Sequence, residues 1–177
     1  MADPFRLRVL KAMTDTLKAI STEGGYENDL GDTVEGDDSH TVERVFRGRD
    51  TFGDGDALPM LSILEHPAAL DVIQSHGATA SNGDWQLLVQ GFARNGENNP
   101  TDPAYSLAAD AVKALAAEKR RDRGYNIFGL GETCPCVTGI EIGSPVCRPA
   151  DGINSDTAFF WMTVTLTLSE DLENPYA

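Results

Sequence analysis

Histidine occurs at His40, His66 and His76 and nowhere in residues 77–177. The C-terminal half therefore lacks the commonest metal ligand and the side chain best suited to proton transfer near neutral pH. Cysteine is as scarce, with Cys134, Cys136 and Cys147 alone. An odd count, behind an opening MADPFRLRVLKAM without the apolar core of a secretion leader, argues against a disulfide framework. Cys134-Pro135-Cys136 is spaced more tightly than zinc-binding cysteine pairs. The expectation is three reduced thiols that hold no structural zinc. No apolar run approaches the roughly 20 residues that span a bilayer, so no membrane partner is expected.

Other chemical signatures are missing too. There is no G-x-S-x-G nucleophile elbow. Gly129-Leu130-Gly131 lacks the rest of a dinucleotide fingerprint and no helical pattern follows it. Asp37-Asp38 and Asp54-Gly55-Asp56 do not continue into the spaced carboxylates of a calcium loop. Ser39-His40 is a sequence neighbour pair, whereas a catalytic dyad is assembled by the fold. The expectation is no catalytic, cofactor-binding or metal-ligating residue, and a protein that is not an enzyme.

What the chain has in excess is negative charge. Its formal net charge is −14, and residues 21–56 hold 11 acidic against 3 basic side chains. Residues 1–20 are net +2 and residues 101–124 net +1. Such a surface does not neutralise phosphates, so specific binding to duplex DNA is not expected. The length, 177 residues, suits one domain spanning 1–177 with its own core.

Periodicity supplies the elements. Phe5, Val9, Met13, Leu17 and Ile20 form one apolar stripe, predicting a first helix capped by Asp3, opened by Pro4 and stopped by Gly24-Gly25. Tyr26–Leu30 reads as a strand, and 31–41 as a flexible acidic loop. Val42–Arg49 is extended and Thr51–Asp56 a turn. Leu58–Glu65 is an apolar strand entered through Pro59. Residues 66–84 read as a loop with a short helix within it. Trp85–Ala93 is a strand in which Gly91 marks a bulge or a close backbone approach. Asp102, Pro103 and Gly124 bound a second, alanine-rich helix, with Lys119, Arg120, Arg121 and Arg123 in its last turn, beside the negative end of its dipole. Val137–Ile142 and Ala158–Ser169 are strands. In the latter, Phe160, Met162, Val164, Leu166 and Leu168 alternate with Trp161, Thr163, Thr165 and Thr167, so one set faces the core and the other faces solvent or a partner. The acidic stretch Glu170–Ala177 closes the chain. The fold class is α+β: a mostly antiparallel sheet, two main helices packed against it, and long polar loops.

Five stretches in order, LRVLKAMTDTLKAI, VFRGRDTFGDGDALPMLSILE, WQLLVQGFA, NPTDPAYSLAADAVKAL and the ending NIFGLGE…VTGIEIGSPVCRP…AFFWMTVTLTLSEDLENPY, cover most of the chain. Together they resemble the tail terminator proteins of long-tailed, siphovirus-like bacteriophages. The resemblance implies a structural virion protein, made in the host bacterial cytoplasm, that forms a ring, usually a homohexamer. The ring caps the tail tube, ends its polymerisation and joins the tail to the neck or connector. The implied partners are further copies of the chain, the tail tube protein and the neck protein, with DNA passing through the channel without specific binding. The acidic insertion at 32–40 and the Cys-Pro-Cys segment depart from the family pattern. The competing readings are another head–tail joining or head-completion protein and, outside the particle, a small metal- or ligand-binding module.

Overall fold

Two 15-residue strands, β5 (Ala80–Arg94) and β8 (Thr157–Asp171), run antiparallel in unbroken register from Ala80 opposite Asp171 to Arg94 opposite Thr157. Everything else is arranged about this pair in the computed structural model, which describes residues 2–35, 40–53, 55–65, 79–131, 133–149 and 156–176. Among these residues the main sheet has six strands. Strand β4 (Met60–Glu65) pairs antiparallel with β5, and β3 (Val45–Arg47) adds to it in parallel. On the other side, β6 (Cys136–Ile142) and β7 (Val146–Pro149) share one edge of β8, β6 along residues 164–169 and β7 along 158–161. A separate hairpin joins β1 (Thr33–Glu35) to β2 (His40–Val42). Helix α1 (Phe5–Lys18) lies against β3, and α2 (Asp102–Glu118) against β5 and β8. The fold is α+β, with antiparallel pairing throughout the main sheet except between β3 and β4.

The alternation in β8 sets the layers. Phe160, Met162, Val164, Leu166 and Leu168 are buried beneath the helices, while Trp161, Thr163, Thr165 and Thr167 are half-buried on the other face. A one-residue slip would exchange these sets, so burial of one face pins the register. The α1 stripe of Phe5, Val9, Met13 and Leu17, with Ile20 just beyond, is buried against the sheet. In α2 the small residues Ala104, Ala108, Ala111 and Ala114 are buried with Leu107 and Leu115, so the helix backbone can approach the strands closely. Gly91 is a site of close approach and not a bulge: its pairing is regular, and a Cβ there would overlap the Phe160 ring and come within 2.8 Å of Leu61 Cδ2. The register shift lies instead between Val137 and Gly139.

Several boundaries differ from those expected. Pro4, in an extended conformation, occupies the cap position of α1, so Asp3 lies outside the helix and receives Lys11 Nζ at 2.5 Å. The helix ends at Lys18, well before Gly24-Gly25, because Ile20 turns into the core and its carbonyl accepts from Leu30 N–H. Tyr26–Leu30 is not a strand. Two of its backbone donors are taken by α2: Glu27 N–H and Asn28 N–H both go to Asp110 Oδ2, at 3.0 and 2.9 Å, and Asn28 Nδ2 joins them at 2.8 Å. Asp110 stands in the middle of α2 and is almost fully buried. The expected acidic loop 31–41 is partly the β1–β2 hairpin, with 36–39 outside the described residues. Of the expected loop 66–84, residues 80–84 belong to β5, where pairing with β8 overrides their weak strand propensity, and 66–78 lie outside the described residues. Helix α2 begins at Asp102 with no side-chain cap and stops at Glu118. Lys119, Arg120, Arg121 and Arg123 therefore follow the helix instead of occupying its last turn. A run of positive φ at Asp122, Arg123 and Gly124 then turns the chain. Among the described residues the last third holds three strands, not two; β7, short and irregularly patterned, leaves no alternating signal in the sequence. Glu170 and Asp171, expected in the tail, belong to β8, and Pro175 C=O accepts from Phe5 N–H at 2.8 Å.

Two outcomes are expected in urea unfolding. Leu166→Ala should cost about 2–5 kcal/mol as a large-to-small core change, and Thr165→Ala little. Equal losses from the two would contradict the register. Asp110→Ala should cost about 1.5–3 kcal/mol by leaving backbone donors of 27–28 without their acceptor, and Asp110→Asn, which keeps an acceptor oxygen, should cost less.

Candidate interaction surfaces

The sheet face away from the helices changes character along its strands. Cross-strand register sets Phe46, Ser62, Gln90, Trp161 and Val146 in one row and Met60, Phe92, Phe159 and Arg148 in the next. Further along come Gln86 beside Thr165, and Asp84 beside Thr167, whose hydroxyl donates to Asp84 Oδ1 at 2.8 Å. One end of the face is aromatic and the other polar.

At the aromatic end, rings touch in series: Phe46 with Phe52 (centroids 6.4 Å), Phe52 with Phe92 (4.5 Å), Phe92 with Phe159 (6.2 Å) and Phe159 with Trp161 (5.6 Å). Phe52 reaches this row because the chain after β3 folds back over the sheet. Gly48 N–H donates to Ile63 C=O at 2.9 Å, and the buried Ser62 hydroxyl donates to Arg49 C=O. The Arg49 guanidinium then lies over Phe46 at 4.5 Å and Phe52 at 5.0 Å, where ring quadrupoles attract a cation. Its Nη2 donates to both Asp56 oxygens, at 2.6 and 2.7 Å, and Asp56 also accepts from Gly53 N–H at 2.8 Å. The Gly53 amide first, and Arg49 second, hold the Asp56 carboxyl below the usual carboxylate range. Asp56 thus serves as a loop clamp.

The cysteines do not converge. Cys136 lies opposite Ser169 and Cys147 opposite Phe160, so nine residues of β8 separate their positions, which is about 30 Å of strand. Burial raises the Cys136 pKa, with a further contribution from Cys134 nearby, and burial alone raises that of Cys147. These thiols stay protonated at neutral pH. The exposed Cys134 Sγ sits 3.8 Å from Ser169 C=O. Among the described residues no three His, Cys, Asp or Glu side chains are grouped to hold a metal. His40 lies in β2 opposite Glu35, while His66, His76, Asp37, Asp38, Ser39 and Asp54 lie outside the described residues. Gly129-Leu130-Gly131 is a structural turn: Leu130 C=O accepts from Val137 N–H at 2.8 Å, and a Cβ at Gly131 would overlap Tyr125 C=O.

Exposed charge of each sign is concentrated but not separated, since Lys113 reaches Gly25 C=O in the acidic segment and exposed Asp122 stands within the basic run. Where α1 stops, Lys18 donates to Asp32 at 2.7 Å and Glu43 at 3.4 Å. Partial burial works against the Lys18 charge, but those carboxylates outweigh it and raise its pKa. Glu23, Glu27 and Asp29 are exposed on the same segment. After α2, Lys119, Arg120, Arg121 and Arg123 are all exposed. Sequence patterning announced the threonine face and the basic run, but not the aromatic row, whose members come from four separate stretches of chain.

No family model matches the chain, and no curated protein matches it. Among the described residues no helix is long and apolar enough to cross a membrane.

Asp56→Asn should loosen the 49–56 loop by about 1 kcal/mol or less, as for a partly exposed pair. Because the folded-state pKa of Asp56 lies below its ordinary value of 3.8, its contribution is present above that value and is lost as pH falls through the lower, folded one. The stability gap between wild type and Asp56→Asn, measured by unfolding at a series of pH values, should therefore hold near neutrality and close only in strong acid.

Proposed function

We propose that this chain is a structural subunit of a long-tailed bacteriophage, forming a closed ring, with six copies as the expected number, that caps the tail tube and joins it to the neck. The observation that carries the reading is the ordered resemblance of five stretches covering most of the chain to tail terminator proteins. The α+β fold is compatible with it. So is the unlike character of its exposed surfaces, an aromatic row and a polar sheet end among them, since a ring made by rotation needs two unlike patches on each subunit. A net charge of −14 suits a channel through which DNA slides without sticking.

In this role the ring has two different faces. One imitates a tube subunit and docks on the last tube ring. The other lacks the surface that recruits a further tube ring and meets the neck instead. Like-charge repulsion between free subunits favours assembly only on the tube end, which supplies a template.

Imaging of mature particles with a tagged chain should locate it at the tail–neck junction, and a strain lacking it should make tubes of uncontrolled length that do not join heads. Normal tails without the protein would overturn the reading. Normal tails that fail only at head attachment would instead favour a head-completion protein.

A further inference from the structure

We propose that the sheet face away from the helices is covered by the same face of a second copy of this chain, across a two-fold axis at the level of Met162, with Arg94 of each copy against Asp84 of the other and Arg148 against Glu141. The contact does not rest on the ring reading. It is isologous, whereas a ring needs two unlike patches, so the chain uses different surfaces for the two.

Cross-strand register fixes the charged side chains that the main-sheet strands present on this face. On β5, Arg94 stands opposite Thr157 and Asp84 opposite Thr167. Along the other edge of β8, Arg148 in β7 stands opposite Phe159 and Glu141 in β6 opposite Thr165. Asp171, opposite Ala80, adds a carboxylate beyond Asp84. Cations therefore stand at the aromatic end and carboxylates at the threonine end. Met162 lies midway between Thr157 and Thr167, and also midway between Phe159 and Thr165. A half-turn about an axis that crosses the strands at this level exchanges Arg94 with Asp84 on β5, and Arg148 with Glu141 on the β6–β7 edge. One axis satisfies both pairs.

All four side chains belong to exposed residues, and none makes an ion pair within the chain among the described residues. Arg49, the other cation at the aromatic end, is taken by Asp56. Asp50 and Asp156, exposed beside that end, belong to no strand, so register does not commit them to this face. The same half-turn sets Phe159 over Thr165, Trp161 over Thr163, Phe92 over Gln86 and Gln90 over Leu88. Rings thus meet methyl and aliphatic groups. The strands place no lysine on this face, and aromatic side chains with arginine are what protein interfaces favour. The 49–56 loop stands over Ser62 in β4, so the contact centres on β5, β8 and the β6–β7 edge.

Facing sheets pack about 10 Å apart and about 30° from aligned. Five residues from the axis that angle offsets Arg94 from its partner by about 9 Å, which an extended arginine and a carboxylate span. Net repulsion between copies is screened beyond about 8 Å at physiological salt, whereas the four ion pairs act at contact. A face about 33 Å long and about 15 Å wide is at the small end of specific interfaces, so the pair forms at micromolar concentration.

The test is sedimentation equilibrium of the full chain in reducing buffer, from about 5 to about 500 μM, where monomer and dimer should exchange. Arg94→Glu should weaken the pair about tenfold, because the two-fold applies the change twice. Adding Asp84→Arg should restore it, and adding Glu141→Arg instead should not. Arg148→Glu should show the reverse preference. Positions 84 and 94 lie about 33 Å apart within one copy, so restoration reports contact between copies. Arg120→Glu, away from the strands, should change nothing. A monomer throughout, a dimer that the reversals leave intact, or restoration by either carboxylate change alike would overturn the proposal. So would a chain that stays monomeric yet binds a single-stranded oligonucleotide through Arg94 and Arg148, which would give the face to a nucleic acid. Rings at tail ends with no two-fold pair in solution would keep the ring reading and remove this one.

Discussion

The β5–β8 ladder is the constraint on which the structure depends. Fifteen consecutive pairs without a slip commit each side chain of two long strands to one face or the other. The helices can then cover only one of those faces, and the apolar alternation in β8 decides which. Strands β4, β6 and β7 are placed by pairing to this ladder, and β3 by pairing to β4. Gly91 belongs to the same constraint, because the Phe160 ring occupies the space that a side chain there would need.

Away from the ladder, single polar groups organise what apolar burial leaves open. Asp110 ties the chain after α1 to the middle of α2, converting a potential strand into a fixed loop. Arg49 performs a similar task on the opposite face, where its stacking on two rings and its bond to Asp56 hold Phe52 against the sheet. These contacts join residues distant in sequence or bent sharply back on each other. They stiffen connections that would otherwise be free to move. That stiffness gives the exposed surfaces definite shapes.

Charge distribution links the fold to the proposed assembly. A chain with a net charge of −14 repels its own copies at long range, yet it keeps a compact basic turn beyond α2. The turn is built on enforced left-handed residues and exposes a tyrosine, an arrangement that costs stability within the subunit.

The α+β class, the buried stripe of α1 and the alternating faces of β8 are written in the sequence, whereas at Gly91 it allowed a bulge or a close approach and the Phe160 ring decides for the latter. Each follows from a local pattern, a period of side chains or an unusual residue within one element. The basic run and the threonine face were legible for the same reason. Tertiary structure alone decided the ends of the elements and the composition of the surfaces. Residues 80–84 are polar and glycine-containing, and they are a strand only because β8 lies beside them. Tyr26–Leu30 is flanked by apolar residues but holds Glu27, Asn28 and Asp29, which strands disfavour, and it is a loop in which a carboxylate more than eighty residues away takes two backbone donors. The aromatic row joins side chains from β3, the loop after it, β5 and β8, and the separation of Cys147 from Cys136 depends on which stretch of β8 each pairs with. Local patterns report which side of an element is apolar; hydrogen-bond partners and surface neighbours are set by which distant segments the completed sheet brings together.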